Sequence, residues 1–123
     1  MTPVSAVLWV CQTVLALVSL GAGGIKLARS RERILANPNL QWAEDYSAAM
    51  IRAIGVAEVL FALGLVLPEA TGLAEWLTPS AALGVAAIQV GAGMAHRRRG
   101  ENHFLPVNAA LLLLAAVVAV GRG

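Results

Sequence analysis

Four long apolar runs alternate with short polar stretches along the chain: Val4–Leu27, Ala48–Leu67, Thr78–Ala95 and Phe104–Val120. A helix needs about 20 predominantly apolar residues to cross the hydrocarbon of a bilayer, and each run is of that order. The pattern predicts an all-α integral membrane protein, an antiparallel four-helix bundle formed as one domain over residues 1–123. The first run begins at once and has no basic residues ahead of it. It is long enough to span, so it reads as a retained helix rather than a cleaved signal.

The polar positions inside the runs fall on stripes. Gln12, Ser19 and Lys26 recur at every seventh position, with Ala16 and Gly23 on the same face; this stripe is expected to point inward. In the second run Ile51, Gly55 and Glu58 share a face, while Arg52 points elsewhere and can snorkel to the interface. Pro68 is expected to stop that helix. Thr78 and Pro79 suit the N-cap and first position of the third. Gly84, Ile88, Gly91 and Ala95 form a mostly small stripe suited to close helix contact, and Gly21–Gly24 reads the same way. Gln89 and His96 share another face, and Asn108 lies one turn inside the fourth run. Leu111–Leu114 is lipid-facing or packing surface.

The connections set an expected orientation. The first holds Arg29, Arg31 and Arg33, the third holds Arg97, Arg98 and Arg99, and the second holds only Glu69 and Glu75. The positive-inside rule puts the two basic loops in the cytoplasm and both termini outside, with Arg122 the one exception. The long first connection carries the turn signal Asn37–Pro38–Asn39 and the interfacial residues Trp42 and Tyr46. A short amphipathic helix on the membrane is expected around Arg31–Ala36, and a segment of this length can act as a lid.

Composition agrees: 59% of residues are hydrophobic and 13% charged, against about 25% charged in soluble domains. Mean hydropathy is +0.74. The net charge of +2 sits at segment ends, where membrane topology explains it, and does not point to nucleic acid. Cys11 is the only cysteine, so no intrachain disulfide forms; it reads as a small apolar filler.

Glu58 needs explaining, because a carboxylate in hydrocarbon is costly and normally has a partner in the bundle interior. It lies about 10 residues into its helix, roughly 15 Å deep at the helical rise. The bundle puts Lys26, His96 and Asn108 in one layer near the cytoplasmic side, with Glu58, Gln89 and Ser19 deeper. Glu58 then meets either Lys26 in a salt bridge or Gln89 in a hydrogen bond, and protonation would lower the cost of its burial. These residues either glue the helices together or form a ligand, proton or redox site. The candidate ligand-binding set is Lys26, Glu58, Gln89, His96 and Asn108. The two histidines and one cysteine are too scattered for a zinc site. His96 and His103 flank an arginine loop, a poor setting for haem. There is no Ser–His–Asp arrangement and no phosphate-cradling loop.

Several short motifs fall in order across the four runs: Gly23-x-x-Lys26-Leu27, Arg52-x-x-Gly55-x-x-Glu58 with Gly64-Leu65, His96 before Arg97–Gly100, and Asn108. In these the sequence resembles the DoxX-like family of small bacterial membrane proteins. The resemblance implies a four-helix fold in the bacterial cytoplasmic membrane. It also implies a quinone- or lipid-associated subunit of a membrane redox system beside a soluble redox partner, with quinone the candidate cofactor. It carries over no catalytic residues, and a non-catalytic subunit is expected rather than a self-sufficient enzyme. A binder or carrier of a small apolar ligand, and a structural homo-oligomer, are the alternatives.

Overall fold

The computed structural model describes residues 1–123. It is all-α, with no strands: α1 (Pro3–Ala28), α2 (Arg31–Leu35), a 3₁₀ segment Pro38–Asp45, α3 (Ala48–Thr71), α4 (Leu77–Arg98), a 3₁₀ turn Asn102–Phe104 and α5 (Leu105–Arg122). α1, α3, α4 and the stretch Asn102–Arg122 are long and apolar enough to cross a membrane. α1 packs on α3, α3 on α4, α4 on α5, and α5 closes the ring against α1. The helix starts use local acceptors for the free N–H groups. Thr2 Oγ1 accepts from Ser5 N at 3.0 Å, and Ser47 Oγ accepts from Met50 N at 3.1 Å.

α1 and α3 touch at backbone distance. A Cβ on Gly23 would lie 2.7 Å from the Gly55 carbonyl oxygen, and one on Gly55 would lie 2.9 Å from Lys26 Cβ. No larger residue fits at this crossing. Gly84 likewise makes room for the Phe61 ring, whose Cζ would be 2.5 Å from an added Cβ.

The small-residue stripes are only partly packing surfaces. Gly91 has no atom within 4 Å of where its Cβ would be, and the same holds for Gly21 and Gly24. The stripe of α4 therefore packs at its Gly84 end and faces open space at Gly91.

Pro68 does not end its helix. α3 continues to Thr71 and stops at Gly72, whose φ of +71° is the left-handed C-cap conformation. A proline inside a helix lacks the N–H that its fourth preceding carbonyl expects. Here that carbonyl belongs to Gly64, and Thr78 Oγ1 donates to it at 3.0 Å. Gln12 Nε2 donates to the next carbonyl, Leu65 O, at 2.7 Å. Thr78 is thus not the N-cap of α4. Trp76 holds that position without a side-chain bond, because the Thr78 hydroxyl is used across the helix interface.

The bundle has two unlike ends. At the terminal end, Leu15, Leu65, Ala82, Val85, Ala115 and Val118 form a closed apolar core. Arg122, the exception to the charge rule, is anchored there. Its Nε donates to Gln12 Oε1 at 2.8 Å, an Nη donates to Ser5 Oγ at 3.3 Å, and Glu69 lies 3.8 Å away. Its guanidinium also sits 5.7 Å from the Trp9 ring centroid.

At the loop end, Ile34, Ala43 and Ile51 make a second small core that holds the segment 31–46 against α3. Arg31 stiffens this segment from within, donating to the carbonyls of Tyr46 and Glu44, each at 3.0 Å. Arg99, capping α4, joins it to the third connection through Asp45 at 3.0 Å and Glu44 at 3.3 Å.

Replacing Thr78 by valine keeps the shape and removes the donor to Gly64 O. The expected loss is about 1–3 kcal/mol, the cost of a buried acceptor left unsatisfied. Thr78→Ser should stay near wild type. Thermal unfolding in detergent measures both, and a valine variant as stable as the parent would show that Gly64 O is satisfied in another way.

Candidate ligand-binding site

The glycine contact between α1 and α3 sets the site. A helical Cα–Cβ bond leans toward the helix N-terminus. In the antiparallel pair, Lys26 therefore leans into the bundle and Glu58 leans back toward the loop end. The two meet, with Lys26 Nζ 2.7 Å from Glu58 Oε1 and side chains 11% and 7% exposed. Of the two partners open to Glu58, Lys26 is the one it has. The contact is an ion pair without aligned hydrogen-bond geometry at Oε1. Lys26 Nζ also lies 3.4 Å from Ala22 O and 5.2 Å from the Trp42 ring centroid, so three kinds of partner hold the ammonium.

Gln89 pairs instead with Asn108, whose Nδ2 donates to Gln89 Oε1 at 2.9 Å. This joins α4 to α5. His96 is 8% exposed and has a partner that the sequence reading missed. α4 ends in a turn at Gly100, φ +72°, and the amide of Glu101 closes onto His96 O at 2.9 Å. That closure brings the Glu101 carboxylate to the histidine ring, with Nδ1 to Oε1 at 2.9 Å. Phe104 stacks on the other side of the ring, centroids 4.5 Å apart. Glu101 also faces Arg99 Nε at 3.6 Å.

Lys26, Glu58, Gln89, His96 and Asn108 all line one cavity of about 650 Å³. Its remaining walls are mostly apolar, and Ile34, Leu40, Trp42 and Tyr46 of the first connection cover the loop end. The void exists because the facing helices carry small residues at this level: Ala22, Ala57, Gly91, Ala92 and Ala95. Val18, Ala87, Gly91 and Val107 are exposed residues among the lining. They lie within the spanning helices, so the cavity opens sideways as well as beneath the loop segment. No cluster of His, Cys, Asp and Glu here could hold a metal ion. A second groove of about 640 Å³, between α1 and α5 near the termini, is lined by residues such as Val4, Leu8, Val117 and Val120 and has no polar side chain.

The sequence missed the partners contributed by turns. A signal for Glu101 existed: a glycine four residues after His96, followed by a carboxylate, is a helix stop that folds the acid back onto the last turn. Trp42 and Tyr46, expected at the membrane interface, line the cavity.

The model of the DoxX-like family matches residues 10–118, which is most of the chain. The chain belongs to this family and is a multi-pass membrane protein. Nothing among curated proteins or solved structures matches it.

Lys26→Met leaves the buried Glu58 without its counter-charge, and Glu58→Leu strands the ammonium. Each single change is expected to cost about 3 kcal/mol or more, whereas the double variant should recover most of the loss, as a well-packed apolar pair does. A double-mutant cycle read by thermal melting gives the coupling. Additive losses would mean that the two charges are solvated independently.

Proposed function

As a DoxX-like membrane protein, this chain, we propose, binds a neutral quinone-sized lipophile in the cavity and serves as the quinone- or lipid-associated subunit of a membrane redox system. The observation that carries the reading is the convergence of five polar side chains from four helices on one otherwise apolar cavity. Its volume, about 650 Å³, lies within the range of about 300–1,000 Å³ usual for small-molecule sites. Apolar walls with few convergent polar groups suit a ligand with a polar head and a hydrocarbon body. The lateral openings at Val18, Gly91 and Val107 suit entry from the bilayer. A soluble redox partner would dock on the basic loop face, where Arg29, Arg33, Arg97 and Arg98 are exposed.

Charge pairing favours a neutral ligand over an anionic lipid headgroup. Lys26, the one lysine or arginine among the lining residues, is matched by Glu58, and Arg99, three residues beyond His96, is matched by Glu44, Asp45 and Glu101. A phosphate would find no free cation among the lining residues. The orientation belongs to the same proposal: basic loops in the cytoplasm of a bacterium, both termini across the inner membrane. With Arg122 internally paired, it no longer counts against that orientation.

Gly91→Leu tests occupancy. Its side chain would enter open space, so the fold should melt as wild type while the lipophile retained through purification falls severalfold by mass spectrometry of the extract. A wild-type sample that retains none, or a leucine variant that retains as much, sinks the reading. Single cysteines test orientation in intact cells, where one near Glu75 should react with an impermeant reagent and one near Arg98 should not.

A further inference from the structure

We propose that Glu101 fixes His96, which lines the cavity, as the tautomer protonated on Nδ1, leaving Nε2 as a hydrogen-bond acceptor, and that the site thereby selects a hydroxylated lipophile over one bearing only carbonyls. This rests on the reading that a lipophile occupies the cavity. A carboxylate has lone pairs and no proton to give. His96 Nδ1, 2.9 Å from Glu101 Oε1, is therefore the donor. A neutral imidazole protonated there keeps its other lone pair on Nε2, which has no partner in the protein. Turning the ring to exchange its nitrogens would break the Nδ1 contact with Glu101 and disturb the stacking on Phe104, whose centroid is 4.5 Å away. Glu101 is itself held by Arg99 at 3.6 Å.

Glu58 adds a second acceptor. Its Oε1 faces Lys26, while Oε2 has no hydrogen-bond partner in the chain. The donors of the layer are in part occupied, with Asn108 Nδ2 on Gln89 Oε1 and Lys26 Nζ near Glu58 and Ala22 O. A hydroxyl donates as well as accepts, so a hydroquinone satisfies this set. A quinone only accepts; Gln89 Nε2 is free to donate to one of its oxygens, but an oxygen placed at His96 would face the Nε2 lone pair. Sites built to pair with a hydroxyl reject analogues that lack it. Glu101 is thus a positioning residue that acts through His96.

The test compares three probes on purified protein in detergent at mildly alkaline pH: a short-chain hydroquinone, its quinone and its dimethyl ether. The hydroquinone should bind at least about tenfold tighter than either of the others. Glu101→Leu should bring the three within about twofold, because His96 is then free to adopt the other tautomer. Glu101→Gln keeps the shape and guards against a folding loss, but its amide can donate to Nδ1 as well as accept from it, so it too should weaken the preference, by loss of the fixed tautomer rather than of the fold. Nitrogen-15 NMR of labelled histidine should find Nε2 unprotonated in wild type and a mixture in Glu101→Leu, with no ligand required. Binding without preference, a preference untouched by Glu101→Leu, or an Nε2-protonated His96 overturns the inference alone. Failure of all three probes to bind overturns the occupancy reading, and the selectivity with it.

Discussion

The backbone contact between Gly23 and Gly55 is the constraint on which the rest depends. Association of helices in lipid has little hydrophobic drive and relies on close packing. Two glycines let α1 and α3 approach until a Cβ on one would be 2.7 Å from a carbonyl of the other. That approach fixes the register of the antiparallel pair, and with it the meeting of Lys26 and Glu58 across the interface. A side chain at either glycine would part the helices and lengthen an ion pair that is bearable in hydrocarbon only at short range. The motifs Gly23-x-x-Lys26 and Gly55-x-x-Glu58 therefore act as one device, a contact point followed one turn later by a charge.

The two ends of the bundle handle unsatisfied polarity differently. At the terminal end, Pro68 frees a carbonyl, and Thr78 and Gln12 fill the local need for donors. Arg122 then uses the remaining acceptor of Gln12. Every group there has a partner, and the core is closed. At the loop end the helices carry small residues and stay apart, and the polar side chains pair at the rim of a void. The closed core and the void are two ends of the same ring of helices.

The sequence revealed the elements and the members of the polar layer more readily than their pairing. Apolar run length gave the four spanning helices, and heptad spacing gave the buried face of Gln12, Ser19 and Gly23, with Lys26 half-buried at its end. The five candidate side chains do converge on one cavity, since each lies near the loop end of its own helix or one to three turns inside it. Helical periodicity reports facing and depth, and these largely determine which residues share a layer. It reports neither local chain reversal nor void. Glu101 reaches His96 through a turn, Thr78 reaches Gly64 around a proline, and Gly91 faces space rather than a helix. Small residues permit both contact and cavity, so a stripe of them cannot say which one results. Pro68 misled for a related reason: it breaks one hydrogen bond, and whether the helix survives depends on a donor from elsewhere in the fold.

If the cavity binds as proposed, its charges are disposed so that a ligand would meet dipoles rather than net charge. Lys26 and Glu58 cancel within the wall, and Arg99, just beyond His96, is held by three acids. Paired in this way, they give an anion or a cation little reason to leave water for the cavity. Discrimination among neutral lipophiles must then come from shape and from the direction of single hydrogen bonds. Shape is loosely specified by small and aliphatic walls. Direction would be specified at His96, where the Glu101 carboxylate against Nδ1 would fix that ring nitrogen and thereby the character of the other. A site that repels no particular size but demands a donor at one point suits molecules that differ only in their oxidation level at oxygen.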